Sequence, residues 1–188
     1  MQFEPQKIQD VVLIKPRQFG DDRGYFMETF RSDKFAEATG FDGQFVQDNQ
    51  SFSAHANTVR GLHYQSPPHA QAKLVRCPRG GIIDVAVDMR PHSSTYGQWV
   101  SALLSAENAQ QLFVPAGFLH GFSTLMPNTE VHYKCTDYYA ADCDGSVAWN
   151  DPDLNVDWGV QYGFDTSQAV LSEKDAMAPT LKKWDNPF

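Results

Sequence analysis

The sequence is poor in cysteine, poor in positive charge and free of long apolar runs. Its three cysteines, Cys77, Cys135 and Cys143, are odd in number and show no CxxC spacing. That pattern argues against a disulfide framework and a zinc knuckle. Lysine and arginine total 15 against 23 aspartates and glutamates, a formal net charge of −8. So acidic a chain lacks the basic surface that a nucleic-acid polymer requires, and none is expected as a partner. A few local arginines can still hold one small anion. Nothing approaches the ~20 consecutive apolar residues of a membrane span, so no membrane is expected as a partner either. Met1 to Asp10 is polar and has no signal-peptide core, so the expected compartment is the cytoplasm. Low-complexity linkers and internal repeats are also lacking. One domain over residues 1–188 is expected, with 151–188 as a C-terminal extension.

What is present is β-forming. Aromatic residues make up 13% of the chain, a share that suits a packed β protein rather than a disordered one. Val11–Ile14 reads as a short edge strand, and Phe19 to Gly24 as a turn cluster before a strand over Tyr25–Phe30. Ser32 to Thr39 reads as a helix with Ser32 as N-cap, Asp33 in the first turn and Gly40 as the stop. Strands are then expected over Gln44–Asn49, Thr58–Gln65, Ala72–Cys77, Ile82–Met89, Trp99–Leu104, Gln111–Val114, Phe118–Leu125 and Glu130–Tyr138. In Ile82–Met89, residues Ile83, Val85, Val87 and Met89 share one face, and Asp84, Ala86 and Asp88 the other. Regular short strands with turns between them predict an all-β, double-sheet jelly roll with short helices. The proline-containing tail from Asp151 to Phe188 is expected to pack around it.

Two segments carry candidate chemistry: Arg60-Gly61-Leu62-His63-Tyr64-Gln65 and Pro115-Ala116-Gly117-Phe118-Leu119-His120. Many metal-binding cupin barrels use His-x-His, a later Glu and then Pro-x-Gly-x-x-His. This chain resembles that pattern with altered ligands. His63 is present, Gln65 stands for the second His, Lys73 stands seven residues before Gly80 in place of the Glu, and His120 closes the last motif. An ammonium repels a dication and has no lone pair to donate, so the expected pocket holds no metal. Lys73 shares a strand face with Val75 and Cys77, and Tyr133 shares one with Val131 and Cys135. A histidine can take a proton at neutral pH, a buried lysine can stabilise an oxyanion, and a tyrosine can return a proton from the opposite side. Those are the parts needed to invert a carbon beside a carbonyl. Arg60 and His63 are three apart and face opposite ways on a regular strand, so both reach one pocket only if the strand bulges, as Gly61 allows.

The ordered runs Phe45-Val46-Gln47-Asp48-Asn49, Arg60 to Gln65, Asp84-Val85-Ala86-Val87-Asp88, Gly117 to Phe122, Tyr133 to Tyr139, Trp149-Asn150-Asp151-Pro152 and Leu171 to Asp175 are similar to the dTDP-4-dehydrorhamnose 3,5-epimerase family. The resemblance implies a cupin-type barrel, a homodimer and no cofactor. It implies a dTDP-linked 4-keto-6-deoxy sugar as substrate. By the same resemblance His63 is the base, Asp175 orients it and supplies its counter-charge, Lys73 steadies the enolate oxygen and Tyr133 is the far-side acid. Arg60 and His120 then line the sugar pocket. Phe19, Arg23, Phe26, Glu28, Gln47 and Asn49 match nucleotide-contact positions, some reaching across the dimer from exchanged strands within about residues 1–30. Tyr138 is the expected stacking partner of the base. Val59 and Phe113-Val114-Pro115 depart from the family's usual Leu and Trp-Ile-Pro.

Other readings of single residues stand beside these. Tyr133 can be a core tyrosine, Arg60 a surface cation, Gln47 and Asn49 structural hydrogen-bonding residues, and Asp175 part of a solvated turn. Rival functions are a single-carbon epimerase or ketoisomerase, a non-catalytic sugar-binding cupin, and a metal-dependent oxygenase, the last disfavoured by Gln65 and Lys73.

Overall fold

The computed structural model describes all residues from Met1 to Phe188. The early strands are β1 (Gln2–Pro5), β2 (Val12–Lys15), β3 (Gln18–Asp21) and β4 (Gly24–Met27), followed by helix α1 (Ser32–Thr39). Then come β5 (Gln47–Ser53), β6 (Val59–Gln65), β7 (Lys73–Arg79), β8 (Gly81–Asp88) and β9 (Trp99–Ser105). The series closes with β10 (Gln111–Val114), β11 (Phe118–Thr124), β12 (Thr129–Cys135), β13 (Asp144–Ser146) and the short helix α2 (Glu173–Ala176).

A six-stranded sheet, β1-β2-β10-β7-β12-β5, faces a five-stranded sheet, β13-β6-β11-β8-β9. Non-consecutive strands are neighbours throughout and every strand pairing within the two sheets is antiparallel, which makes this the expected jelly roll. Between the sheets lie Val75, Cys77 and Val131 from one side and Ile82, Ala86, Phe118 and Phe122 from the other. The five-stranded sheet is also covered on its outer face. There Val59, Leu62, Ile83, Val85, Val87 and Leu119 pack against Trp149, Leu154, Trp158 and Phe164 of the tail. The six-stranded sheet is covered by α1, whose Phe35 sits among Val12, Ile14, Leu74 and Phe113.

This double coverage explains β8, in which every residue is buried. Its apolar face, Ile83, Val85 and Val87, turns outward beneath the tail, while Ile82 and Ala86 face the barrel interior. Asp84 lies on that interior face, so the more polar side of the strand is the one that looks into the barrel.

Several boundaries differ from the sequence expectation. Val11–Ile14 is not an edge: β2 lies between β1 and β10, and β1 takes the edge. The run Gln2-Phe3-Glu4-Pro5 gives little apolar signal because an edge strand buries little. The turn cluster contracts to a tight hairpin in which Phe19 pairs with Phe26 and Asp21 with Gly24. Ser32 is inside α1, not its cap. Arg31 is the cap, and its guanidinium forks onto Asp33 at 2.7 and 2.8 Å. Gly40, with φ of 69°, closes the helix as expected.

Candidate active site

Gly61 decides the geometry of β6. His63 pairs with His120 of β11, but Arg60 pairs with Phe122, so β6 carries one residue more than β11 between those pairs. Gly61 has φ of 126°, and a Cβ there would stand 2.7 Å from the Cα of Gly121. Only glycine fits this bulge. Val59 and Leu62 therefore point outward to the tail, while Arg60 and His63 both point inward.

Inside the barrel is a cavity of about 200 Å³ whose walls include Arg60, His63, Lys73, His120, Tyr133 and Asp175. It adjoins a wider cleft of about 380 Å³, with which it shares His63, Lys73 and Tyr133. The wider cleft is bounded by Gln47, Asn49, Tyr139 and Asp144. Residues from β6, β7, β11 and β12 thus meet residues of the tail at one place.

His63 Nε2 lies 2.5 Å from Asp175 Oδ1. Asp175 is delivered by α2, whose N-cap Ser172 accepts from the Asp175 N–H at 3.1 Å and donates through Oγ to Asp175 Oδ2 at 2.9 Å. The Ser172 N-cap thus fixes, through two bonds, the same acid that holds the histidine. Burial favours the neutral Asp175 carboxyl. The hydrogen bond and charge of His63, with bonds from Ser172 and the Gly61 backbone, outweigh it and hold the carboxyl below its ordinary range. With Nε2 bound to Asp175, Nδ1 is the nitrogen left free to act on a bound molecule.

Lys73 belongs to none of the ion pairs of the site, which are His63–Asp175, His120–Asp84 and Lys174–Asp144. Burial pulls its ammonium down from the ordinary lysine value, against the fields of Cys135, Asp144 and Asp84. Burial likewise raises the Tyr133 phenol, and Cys135 adds to this while Arg60 opposes it. Arg60 is pinned to β5, its Nη2 donating to the Phe52 carbonyl at 2.9 Å and its Nε to Ser53 Oγ at 3.2 Å.

Gln47 and Asn49 lie on the cleft wall, joined by a 3.0 Å bond from Gln47 Nε2 to Asn49 Oδ1. Phe19, Arg23, Phe26 and Glu28 do not reach the cleft of their own chain. Arg23 sits at the tip of the β3–β4 hairpin with 89% of its side chain exposed, paired with Asp21. Phe19 is 52% and Phe26 71% exposed. On the 138–139 segment it is Tyr139, rather than Tyr138, that borders the cleft. The loop is fixed by Gln65, which donates to the Tyr138 carbonyl and accepts from the Ala140 N–H. Gln65 thus serves as a loop anchor in the position where many cupins place a metal ligand. No cluster of three His, Cys, Asp or Glu side chains is arranged to hold a metal ion.

Four residues of the site escaped the sequence reading: Asp84, Asp144, Tyr139 and Lys174. An acid alternating with alanine in an otherwise apolar strand was the available signal for Asp84. The other three lie on loop, β13 and tail segments that carry no periodicity.

Comparison with known proteins bears on this geometry. The family model of dTDP-4-dehydrorhamnose 3,5-epimerase matches residues 5–183. A dTDP-4-dehydrorhamnose 3,5-epimerase of Sinorhizobium fredii is 51% identical over 181 residues, covering 96% of this chain and 90% of the relative. A crystal structure of the dTDP-6-deoxy-D-glucose-3,5-epimerase of Legionella pneumophila, in complex with dTDP-4-keto-L-rhamnose, superposes with a TM-score of 0.91 at 42% identity, over 98% of this chain and 94% of that one. A 3'-monoepimerase of Streptomyces bikiniensis, in complex with dTDP-quinovose, superposes with a TM-score of 0.86 at 35% identity, over 95% and 87% of the two chains. With a match spanning nearly its whole length, the chain belongs to the dTDP-4-dehydrorhamnose 3,5-epimerase family.

Proposed function

We propose that the chain converts dTDP-4-dehydro-6-deoxy-D-glucose to dTDP-4-dehydro-L-rhamnose, with His63 as base, Lys73 as enolate clamp and Tyr133 as far-side acid. The observation that carries the reading is the meeting of these three side chains around one cavity, with His63 held by Asp175. The carbons on either side of a C4 ketone are acidic because the carbanion delocalises onto oxygen. His63 Nδ1 takes the proton, and its charge is balanced by Asp175. The Lys73 ammonium donates to the oxygen that becomes the enolate, in a site where burial strengthens that contact. Tyr133 then returns a proton from the opposite face, and ketone re-formation fixes the inverted carbon. Applied at C3 and then C5, or in the reverse order, the same parts serve both inversions once His63 has released its proton to solvent and Tyr133 has regained one. No step calls on a metal or cofactor, so dialysis against a strong chelator should leave turnover unchanged.

The wider cleft suits the nucleotide: Gln47 and Asn49 present amides to the base, and Tyr139 is the nearer candidate for stacking. The exposed hairpin with Phe19, Arg23 and Phe26, and Glu28 just beyond it, supports a homodimer in which it closes the partner's cleft. A large exposed apolar tip on a small protein marks a contact surface. The expected compartment is the cytoplasm, and no helix is long and apolar enough to cross a membrane.

A single-carbon epimerase is the competing reading, because a 3'-monoepimerase shares the fold at 35% identity. Incubation with the 4-keto sugar nucleotide in heavy water, followed by NMR, separates the two. Deuterium at both carbons of an inverted product supports the double epimerase, and deuterium at C3 alone sinks it. His63→Ala should abolish exchange and product together. Tyr133→Phe should still exchange substrate protons while inverted product falls roughly 10²–10⁴-fold, the scale of losing one acid–base group.

A further inference from the structure

The barrel interior contains a second histidine–carboxylate pair that the mechanism above does not use. His120 Nε2 lies 2.8 Å from Asp84 Oδ1. Asp84 is completely buried, and its other oxygen, Oδ2, has no hydrogen-bond partner at all. A carboxylate placed so is costly to the fold unless a nearby positive charge compensates it. His120 borders the catalytic cavity, whereas Asp84 stands behind it on β8.

The charges around the cavity leave Asp84 a specific task. Asp175 is taken by His63, and Asp144 is taken by Lys174. Asp84 is bonded to His120 through one oxygen only and keeps the other without a partner, in a site where Lys73 belongs to no ion pair. The Asp84–His120 bond also sets which ring nitrogen is the donor: Nε2–H points to the carboxylate, which leaves Nδ1 as the acceptor of a ring that borders the cavity.

We propose that Asp84 is a positioning residue of the epimerisation, holding the His120 ring with Nδ1 toward the sugar and keeping the Lys73 side of the cavity positively charged. The inference rests on the epimerase reading and extends it. The groups facing His120 across the cavity are Arg60 and His63 from β6, Lys73 from β7, Tyr133 from β12, and Lys174 and Asp175 from the tail. Asp84 Oδ1 meets the ring at Nε2, 2.8 Å away. Loss of its charge should make the Lys73 ammonium easier to deprotonate, in keeping with the field that Asp84 exerts there.

The test is Asp84→Asn, which keeps the shape and an acceptor for Nε2–H but removes the charge. A residue that merely supports the fold would lower stability and leave turnover per folded molecule intact. The proposal requires the reverse. Melting temperature should stay level or rise, since a buried charge with one oxygen left without a partner is removed, and dTDP affinity should not change. The kcat should fall roughly 10–100-fold, the range for partners behind a functional side chain. The high-pH limb of the kcat profile should move to lower pH. Unchanged kcat with an unmoved limb overturns the proposal, as does a kcat loss that merely follows lost stability. Should the variant not fold, the wild-type protein labelled with ¹⁵N-histidine decides: an Nε2–H tautomer for His120, identified by its absence in His120→Gln, supports the inference, and an Nδ1–H tautomer overturns it. A wild type that fails to exchange substrate protons would instead sink the epimerase reading itself.

Discussion

Lys73 is held in the barrel against its own solvation, and this makes stability and activity pull apart at that residue. Its folded-state pKa is lowered, so the charged form is disfavoured in the folded protein relative to the unfolded one. The penalty is fully present at pH values below the folded pKa and disappears as pH rises through the unfolded value near ~10.4. Lys73→Met should therefore raise stability at neutral pH by about 1 kcal/mol or more while abolishing turnover. Denaturant melts and the deuterium assay on the same preparation check both halves. Asp175 behaves in the opposite sense. Its folded pKa is lowered, so its contribution is present above the unfolded value near ~3.9 and is lost as pH falls through the folded one. Asp175→Asn should flatten the loss of melting temperature below about pH 4 relative to wild type. An unaltered acid slope would show that Asp175 is not part of that linkage.

At the scale of single elements, the β6 bulge is the most exacting feature. Gly61→Ala places a Cβ against the Gly121 backbone at a φ of 126°. The conformational cost alone is about 1–3 kcal/mol, and the register of His63 should shift with it. Turnover should fall much more than thermal stability, as measured by kcat beside melting temperature. Normal kcat in a folded variant would mean that the bulge does not position the base. The need for this bulge was legible in the sequence, because Arg60 and His63 could not share a pocket without one. The inward faces of β7 and β12 were also legible, since Val75, Cys77 and Val131 mark them by period-two alternation. Strands β1 and β13 were not. The first is an edge with little to bury, and the second is three half-buried residues held by pairing to β6. That Tyr139 rather than Tyr138 borders the cleft was not legible for a similar reason: a loop has no periodicity, and its facing is set by Gln65, a distant hydrogen-bonding residue.

Across the whole molecule, four of the six expected nucleotide-contact positions, Phe19, Arg23, Phe26 and Glu28, lie away from the cleft of their own chain. Arg23, Phe19 and Phe26 decorate a hairpin that pairs with no other strand. The family resemblance matched these positions and implied that some of them reach across a dimer, which composition and periodicity carry no sign of. If the hairpin reaches a partner, Phe26→Ser should weaken self-association, read by sedimentation. Arg23→Ala should weaken dTDP binding by about 1–3 kcal/mol, the scale of charge-assisted bonds to phosphate. A Phe26→Ser variant that remains dimeric and fully active would remove the hairpin from the assembly.

The bond between His63 and Asp175 joins residues 112 positions apart. The base sits on a strand of the barrel, and its carboxylate arrives on α2, which leaves the ribosome after every strand. A nascent barrel that ends before α2 can bury its inner core yet still lacks the acid that holds its histidine. Competence is therefore acquired in one late event, when the tail wraps the five-stranded sheet and seats Trp158 against it. In refolding, the return of catalysis should keep time with the burial of Trp158, and a folded barrel with an undocked tail should be silent.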